Sequence, residues 1–488
     1  MIISEKTRDP LINLVFDTLE KNKQALIFVN AKRSAEKVAE DVAKKVKQSN
    51  AVTEELSQKI LAALSKPTKQ CDRLAFCTKT GVAFHHAGLA PKQKELVENG
   101  FRDGAVKIIA CTPTLAAGLD LPAFRAIIRD VKRFGHHGMM PIPVLEYLQM
   151  AGRAGRPKFD SVGEAIIITS SEYERDSVIE KYINGVPEDI YSKLAVEPVL
   201  RVYVLSLINS RIVHSNESII EFFEQTFWAH QYKDLDKMEQ IIERVLDLLI
   251  DWNFIQKVQE GFRATNLGKR VAELYVDPLT AHHLLIGLER AKSTTVKTIS
   301  FFHLVCNTLE MRPLLTVKQK EYEDVQEKYI EAESYLLQKE PSMFEPEYDD
   351  WLKSFKTALM LLDWVDEKDE EWILESYDSR PGETKSKIDR ADWLLYACHE
   401  LARLQNYQPL LKEITKARLR LKYGIREELL SLIRLEQVGR VRARKLFNAG
   451  LKDLGALRKV PVDSLARIVG KSVALSIMKQ LGKESNLY

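Results

Sequence analysis

Five short apolar runs in the first 190 residues constrain the fold of this 488-residue chain more than any other feature. They are "ALIFV" (25–29), "VAFHH" (82–86), "VKIIAC" (106–111), "RAIIRDV" (125–131) and "EAIIIT" (164–169). Their apolar residues are contiguous rather than alternating, which fits strands buried on both faces, as in a parallel sheet. Helical patterns such as "RSAEKVAEDVAKKV" and "PKQKELVENGF" separate them. The second opens on Pro91, whose missing N–H does no harm in a first helical turn. Strand alternating with helix predicts an α/β domain over 1–190, built on a doubly wound parallel sheet.

Beyond 190 the strand signal fades. Residues 191–275 read as short helices followed by "FIQKV" and "GFRAT", two short strands flanking a glycine turn, which together suit a winged-helix module. Residues 276–405 read as all-helical. They include the acidic "EDVQEKYIEAESYLLQKE", a turn-rich "YDSRPGETKSK" and then a strong helix, "IDRADWLLYACHELARL". Residues 406–488 read as short basic helices broken by glycines. The expected class is therefore multidomain, α/β followed by mainly α.

Charge is unevenly spread. From Asn406 onward there are 18 Lys and Arg against 7 Asp and Glu, so the net +3 of the whole leaves the remainder near −8. A basic terminal block suits a polyanion partner, usually nucleic acid, although a solvated basic face has the same composition. No run of about 18 apolar residues exists, so no membrane span is expected. The start, "MIISEKTRDPLINLVF", lacks the basic and apolar regions of a secretion signal. The five cysteines form no CxxC pair and the histidines show no zinc spacing with a nearby carboxylate. These features predict reduced thiols, a cytoplasmic location and no resident metal in this chain.

Three stretches carry candidate chemistry. The first is "LEYLQMAGRAGRPKFD" (145–160). On a continuous helix Gln149, Gly152, Arg153 and Arg156 would share one polar edge. Guanidinium forks bind phosphate oxygens in pairs and stay charged at any working pH, so two of them suit a transferring γ-phosphate. The second is "IIACTPTLAAGLDLP" (108–122). It places Thr112 at the end of a parallel strand and Gly118 and Asp120 on the loop after it, where α/β sheets hold ligands. Thr112 could donate to a phosphate and Asp120 could accept from a ribose hydroxyl. The third sets Asn30, Lys32 and Arg33 at the carboxyl end of the first strand and His86 at the end of another, a track for a nucleic-acid backbone.

Together these residues resemble the second RecA-like domain of a Ski-type superfamily two helicase. "FVNAKRSA" resembles motif IV, "FHHAGL" motif IVa, "TPTLAAGLDLP" motif V and "QMAGRAGRP" motif VI, in the family's order and spacing. The later modules extend the resemblance to essentially the whole chain and bring it closest to the archaeal Hjm-type DNA helicases. The resemblance implies an ATP-dependent DNA helicase acting 3′ to 5′ on fork or repair DNA, with ATP and Mg2+ as cofactors. Arg153, Arg156 and Gln149 become the catalytic set; Gly118, Asp120 and Gly152 line the nucleotide. Asp120 stands where Ski-type enzymes usually carry Asn.

The resemblance also assigns "IIRDVKRFGHHGMMPIPV" (127–144) to a strand-separating β-hairpin. Gly135 and Gly138 would turn it, and Phe134, Met139 and Met140 could stack on a terminal base pair. "KSKIDRADWLLYACHELARL" resembles the ratchet helix, with Trp393 stacking on a base and Lys385 or Lys387 touching the backbone. The family's basic residue two turns earlier falls here at Ser386. "LIRLEQVGRVRARKLFNAGLKDLGAL" resembles a helix-hairpin-helix. Gly439 is expected at positive φ, ringed by Arg440, Arg442, Arg444 and Lys445, and "IVGKSVALSI" would be a second, weaker hairpin.

The sequence contains no GxxxxGK[ST] phosphate loop and no strand-end DExH box. The resemblance therefore implies that a first RecA-like domain, missing here, holds most of the ATP and the Mg2+. Two accounts fit this: the C-terminal half of a split helicase completed by a separate N-terminal subunit, or a fragment that keeps only DNA binding. Two other classes remain open at this point. One is a nucleotide-independent DNA-binding adaptor; the other is a fragment of a Ski-type RNA helicase.

Overall fold

The computed structural model describes residues 3–46, 49–64, 66–118, 121–135, 138–156, 160–259 and 261–482. The chain divides into two compact units, Met1–Ile190 with Glu370–Lys385, and Tyr191–Asp369 with Ser386–Tyr488.

The first unit is built on the parallel sheet. Its strands are β1 (Ala25–Phe28), β2 (Val82–His85), β3 (Ile108–Cys111), β4 (Arg125–Ile128) and, after a two-stranded ribbon of β5 (Lys132–Gly135) and β6 (Gly138–Pro141), β7 (Glu164–Ile167). The order is β2-β3-β1-β4-β7, every neighbour parallel, with Ala25 opposite both Ile108 and Arg125. All five apolar runs became strands. Each is buried at every position except the edge strand β7, which is half-buried. Helix Lys32–Lys45 turns Ala35, Val38, Ala39 and Val42 into the core, the spacing an amphipathic helix needs.

A charge lies inside this core. Arg125 opens β4 and is fully buried. Its guanidinium donates to Glu164 Oε2 at 2.7 Å, Asp17 Oδ2 at 2.8 Å, Leu14 O at 2.9 Å and Thr18 Oγ1 at 2.7 Å. It thereby ties helix Pro10–Glu20 to the amino ends of β4 and β7.

In the second unit, β8 (Ile255–Val258) and β9 (Gly261–Ala264) form the expected antiparallel hairpin. Helix Asn266–Leu274 crosses Phe254 so closely that a Cβ on Gly268 would overlap the Phe254 carbonyl. Helices Thr298–Cys306 and Glu347–Val365 bury Phe301, Phe302, Trp351 and Phe355. Residues 425–481 have a core cluster of their own, around Leu432, Leu446, Leu457, Leu465 and Ile477.

The helix expected to begin at Ile388 starts earlier, spanning Pro381–Leu404. Pro381 fits a first helical position. The Glu383 carboxylate accepts the Arg380 N–H at 2.9 Å, completing the start. Turn-type residues in "SRPGET" mark a helix start here rather than a loop.

Candidate nucleotide and nucleic-acid sites

The two arginines do not share a helical face. Helix Val144–Ala151 ends with Gly152 as its cap, whose N–H donates to Leu148 O at 2.8 Å. Ala154 then bridges in parallel to Ala123, and Gly155 takes φ +95°, a region glycine enters freely. Gly163 packs against the backbone of Ala154 and Gly155 with no room for a Cβ. That crossing closes a loop carrying Arg156 and Asp160. Gln149 is exposed on the last helical turn.

Within the loop, Arg156 donates from Nε to Asp160 Oδ2 at 2.7 Å and from Nη1 to Gln24 Oε1 at 2.6 Å. Gln24 is oriented by its own Nε2, which donates to Phe101 O at 2.6 Å and Val106 O at 2.9 Å. Lys23 Nζ also reaches Asp160, at 2.6 Å. The Asp160 side chain is only 1% exposed. The hydrogen bond from Arg156, with Lys23 adding to it against some desolvation, lowers its carboxyl from 3.8 to about 2. A lowered carboxyl stabilises the fold above its unfolded value, and that contribution goes as pH falls through about 2. At neutral pH the Asp160 carboxylate is therefore charged. Arg153 Nε donates to Ala116 O at 3.0 Å, tying motif VI to helix Thr114–Gly118. Gly118 is exposed, with open space where a Cβ would stand. Asp120 lies outside the described residues.

Gln24 immediately precedes β1 and Ala123 lies two residues before β4, so the loop carrying Arg156 lies at the amino ends of these strands. The backbone track lies at the opposite ends. There Asn30, Lys32, Arg33, Thr112, Thr114, Arg133 and Arg380 line a cleft of 470 Å³. Asn30 N–H donates to Asp130 Oδ2 at 3.1 Å, and Thr112 and Thr114 hydroxyls are paired at 2.9 Å. Sequence reading had not separated these two ends.

Two expected backbone-gripping residues need correction, and two are already engaged. His86 is 0% exposed, so it cannot touch a nucleic acid. Its Nδ1 accepts the Gly88 N–H at 3.1 Å and its Nε2 lies 3.2 Å from Glu36 Oε1. Burial holds the ring below its ordinary pKa, against the pull of Glu36. Lys387 is buried too, with Nζ donating to Pro313 O at 2.5 Å, because its helix face is the packed one. Lys32 pairs with Glu383, and Arg33 grips Asp378 through contacts of 3.0 and 2.9 Å. Those exposed or half-exposed pairs are weak enough for a phosphate to displace.

The stretch 132–141 forms the expected antiparallel ribbon. Phe134 faces Met139 across it and Gly135 faces Gly138, with φ +94° at Gly138. Phe134 is 81% exposed, and Met139 and Met140 are exposed as well. Its turn, His136 and His137, lies outside the described residues. Trp393 is half-buried, its Nε1 donating to Leu274 O at 3.1 Å. Gly439 is extended (φ −90°, ψ −174°), not left-handed; the positive φ before helix Arg440–Asn448 belongs to Gln437, at 64°. Gly439 still has open space around it. The expected second hairpin does have a left-handed glycine, Gly470 at φ +90°. Arg440 stacks 5.0 Å from the Trp364 ring, Arg442 is exposed, and Arg444 is bound by Glu367 and Glu428.

Sequence reading missed Gln24, Glu36, Asp160 and Arg380. Asp160 ended the quoted motif, and its distance of four residues from Arg156 was a usable signal. Gln24 and Arg380 carried none, because their partners are remote in sequence.

The family described as helicase conserved C-terminal domain matches residues 6–158, a helix-turn-helix domain matches 163–256, and archaeal helicase, domain 4, matches 299–424. Three relatives bear the name ATP-dependent DNA helicase Hel308. That of Methanocella arvoryzae is 39% identical over 98% of this chain and 65% of its own length. That of Pyrococcus abyssi is 40% identical over 96% and 66%. That of Methanococcus vannielii is 35% identical over 98% and 68%. The chain thus spans about two thirds of the length of these relatives. The motifs, the parallel sheet and an identity of 35% or more along nearly every residue lead to one conclusion: this chain belongs to the Hel308 helicase family.

Proposed function

We propose that this chain supplies the arginine wall, the strand-separating ribbon and the DNA grip of an ATP-dependent DNA helicase, moving 3′ to 5′ on forked or repair DNA. The observation that carries the reading is the two-ended sheet. The Arg156 loop sits at one end of the strands and a cleft with basic and hydroxyl groups at the other, so one rigid body can meet ATP and a nucleic-acid backbone at once. Arg153 and Arg156 take the γ-phosphate, Arg156 exchanging Asp160 for it, while Gln149, Gly118, Asp120 and Gly152 border the nucleotide. With no phosphate loop in residues 1–488, gripping the nucleotide and the ion falls to a further RecA-like domain beside this one.

The same reading divides the chain into 1–190 RecA-like, 191–275 winged helix, 276–405 helical ratchet and 406–488 helix-hairpin-helix. Trp393 stacks on a base, and Gly439 with Arg440, Arg442 and Arg444 borders duplex phosphates.

DNA-stimulated ATP hydrolysis on mixing this chain with a RecA-like domain that carries a phosphate loop tests the reading. Turnover well above that of either component supports it. No turnover, with salt-sensitive DNA binding intact, leaves the adaptor reading, which the internal Arg156–Asp160 pair favours. Tighter binding to single-stranded RNA than to forked DNA at matched salt would shift it to an RNA helicase.

The ribbon gives a separate prediction. Phe134→Ala with Met139→Ala removes the apolar tip, where base stacking contributes about 1–3 kcal/mol per base. Strand separation by the completed motor should fall at least tenfold while its ATP turnover on single-stranded DNA stays within about twofold. Equal losses in both would remove the wedge role.

A further inference from the structure

Arg380 enters the carboxyl-end cleft from a segment far along the chain. We propose that it grips a nucleic-acid phosphate there and that buried Glu36 is its positioning residue; this rests on the DNA-grip reading above.

The geometry begins with Glu36, on helix Lys32–Lys45 and only 3% exposed. Its Oε1 accepts from Arg380 Nε at 3.1 Å and Gln70 Nε2 at 3.0 Å, and its Oε2 from Arg73 Nη1 at 2.5 Å. His86 Nε2 lies 3.2 Å from Oε1. Burial alone would raise this carboxyl, but His86, Gln70 and Arg380 outweigh it and hold it far below the carboxylate range. A buried charge is tolerated only when it is matched in this way. With Nε committed to Glu36, the guanidinium plane is fixed. Its two terminal amino groups have no hydrogen-bond partner among the described residues, and the side chain borders the cleft. Such a fork is made for two phosphate oxygens.

The backbone makes the aim rigid. Gly382 N–H donates to Gly88 O at 3.0 Å, and a Cβ on Gly382 would overlap the carbonyls of Ala87 and Leu89. A Cβ on Gly88 would in turn strike the Arg380 side chain. Across the cleft stand the hydroxyls of Thr112 and Thr114 and the guanidinium of Arg133. Of the two acidic residues of the lining, Asp130 accepts the Asn30 N–H, and Glu146 pairs through Oε2 with Arg133 at 2.8 Å while its buried Oε1 has no hydrogen-bond partner among the described residues. Arg380 also borders a second pocket with Glu40, Glu375 and Asp378, but among the described residues no carboxylate other than Glu36 bonds its guanidinium, and an incoming phosphate would do so from the cleft.

Fluorescein-labelled oligo-dT, titrated with the 488-residue chain over a series of KCl concentrations, reads the contact. Arg380→Ala should bind about tenfold more weakly, and its slope of log K against log[KCl] should be smaller by about 0.7, the share of one single-strand phosphate. Arg380→Lys keeps the charge but not the fork, so it should keep the slope and recover part of the affinity. Glu36→Gln gives a test of sign. Deleting a carboxylate near a polyanion site tightens binding by bulk electrostatics; loss of aim weakens it, and weakening is expected. Thermal unfolding checks that each variant is folded, with Arg380→Gln replacing the alanine variant if that one is not. An unchanged slope with Arg380→Ala, or tighter binding with Glu36→Gln, overturns the corresponding half of the proposal while oligo-dT still binds wild type. Absence of salt-sensitive binding by wild type would instead sink the DNA-grip reading, and this inference with it.

Discussion

Arg153→Ala combined with Arg156→Ala should lower ATP turnover of the completed motor by about a thousandfold or more, the scale on which arginine fingers act. Affinity for single-stranded DNA should stay within about twofold, because the cleft proposed to hold it lies at the other ends of the strands from Arg156. The single variants should differ. Arg153→Ala removes a guanidinium that donates to the Ala116 carbonyl. Arg156→Ala also leaves Asp160 with Lys23 alone and Gln24 Oε1 without its guanidinium donor, so it should cost some thermal stability besides activity. Steady-state ATPase and melting of the same preparations check both. Turnover unchanged in the double variant would remove the finger role from motif VI, leaving Arg156 a structural residue of its loop.

Arg125→Ala should destabilise the first unit by about 3–5 kcal/mol, the usual cost of breaking a buried ion pair from one side. The lost side chain bridges Asp17, Thr18 and the Leu14 carbonyl to Glu164, so helix Pro10–Glu20 and the edge strand β7 both lose their tie. Urea unfolding followed by circular dichroism measures it. The pH dependence has a definite sign. Burial alone would raise the Asp17 carboxyl, but Lys21 and Arg125 hold it below its ordinary value. Its contribution is therefore present above the unfolded carboxylate value and is lost as pH falls through the lower, folded one. Wild type should lose more stability than Arg125→Ala on acidification. A loss under about 1 kcal/mol would show the guanidinium to be replaceable by water.

The sheet was readable from sequence because parallel strands need only local apolar runs, and all five runs became strands. The β8–β9 hairpin was readable for a similar reason, through its glycine turn. What failed was orientation. The i, i+3 spacing of Arg153 and Arg156 implied a helix that Gly152 had already ended, so their placement depended on the Ala123–Ala154 bridge and the Gly155–Gly163 crossing. Both are tertiary contacts that no local pattern announces. His86 and Lys387 were misread because charge suggested exposure, whereas Glu36 and the Pro313 carbonyl made burial affordable. Arg380 was invisible for the converse reason: its site is assembled from segments remote in sequence. Gly439 kept its open surroundings but not its expected φ, the left-handed turn having moved two residues upstream to Gln437.

The four-residue strands between the arginine loop and the cleft span about 13 Å at the usual rise of roughly 3.3 Å per residue. Interiors this densely packed resist compression. A push delivered at one rim therefore reaches the other as tilt of a stiff plate, without any relay of small side-chain shifts through the middle. Conservative swaps inside β1 or β4 should then erode thermal tolerance long before they disturb the coupling between the two rims.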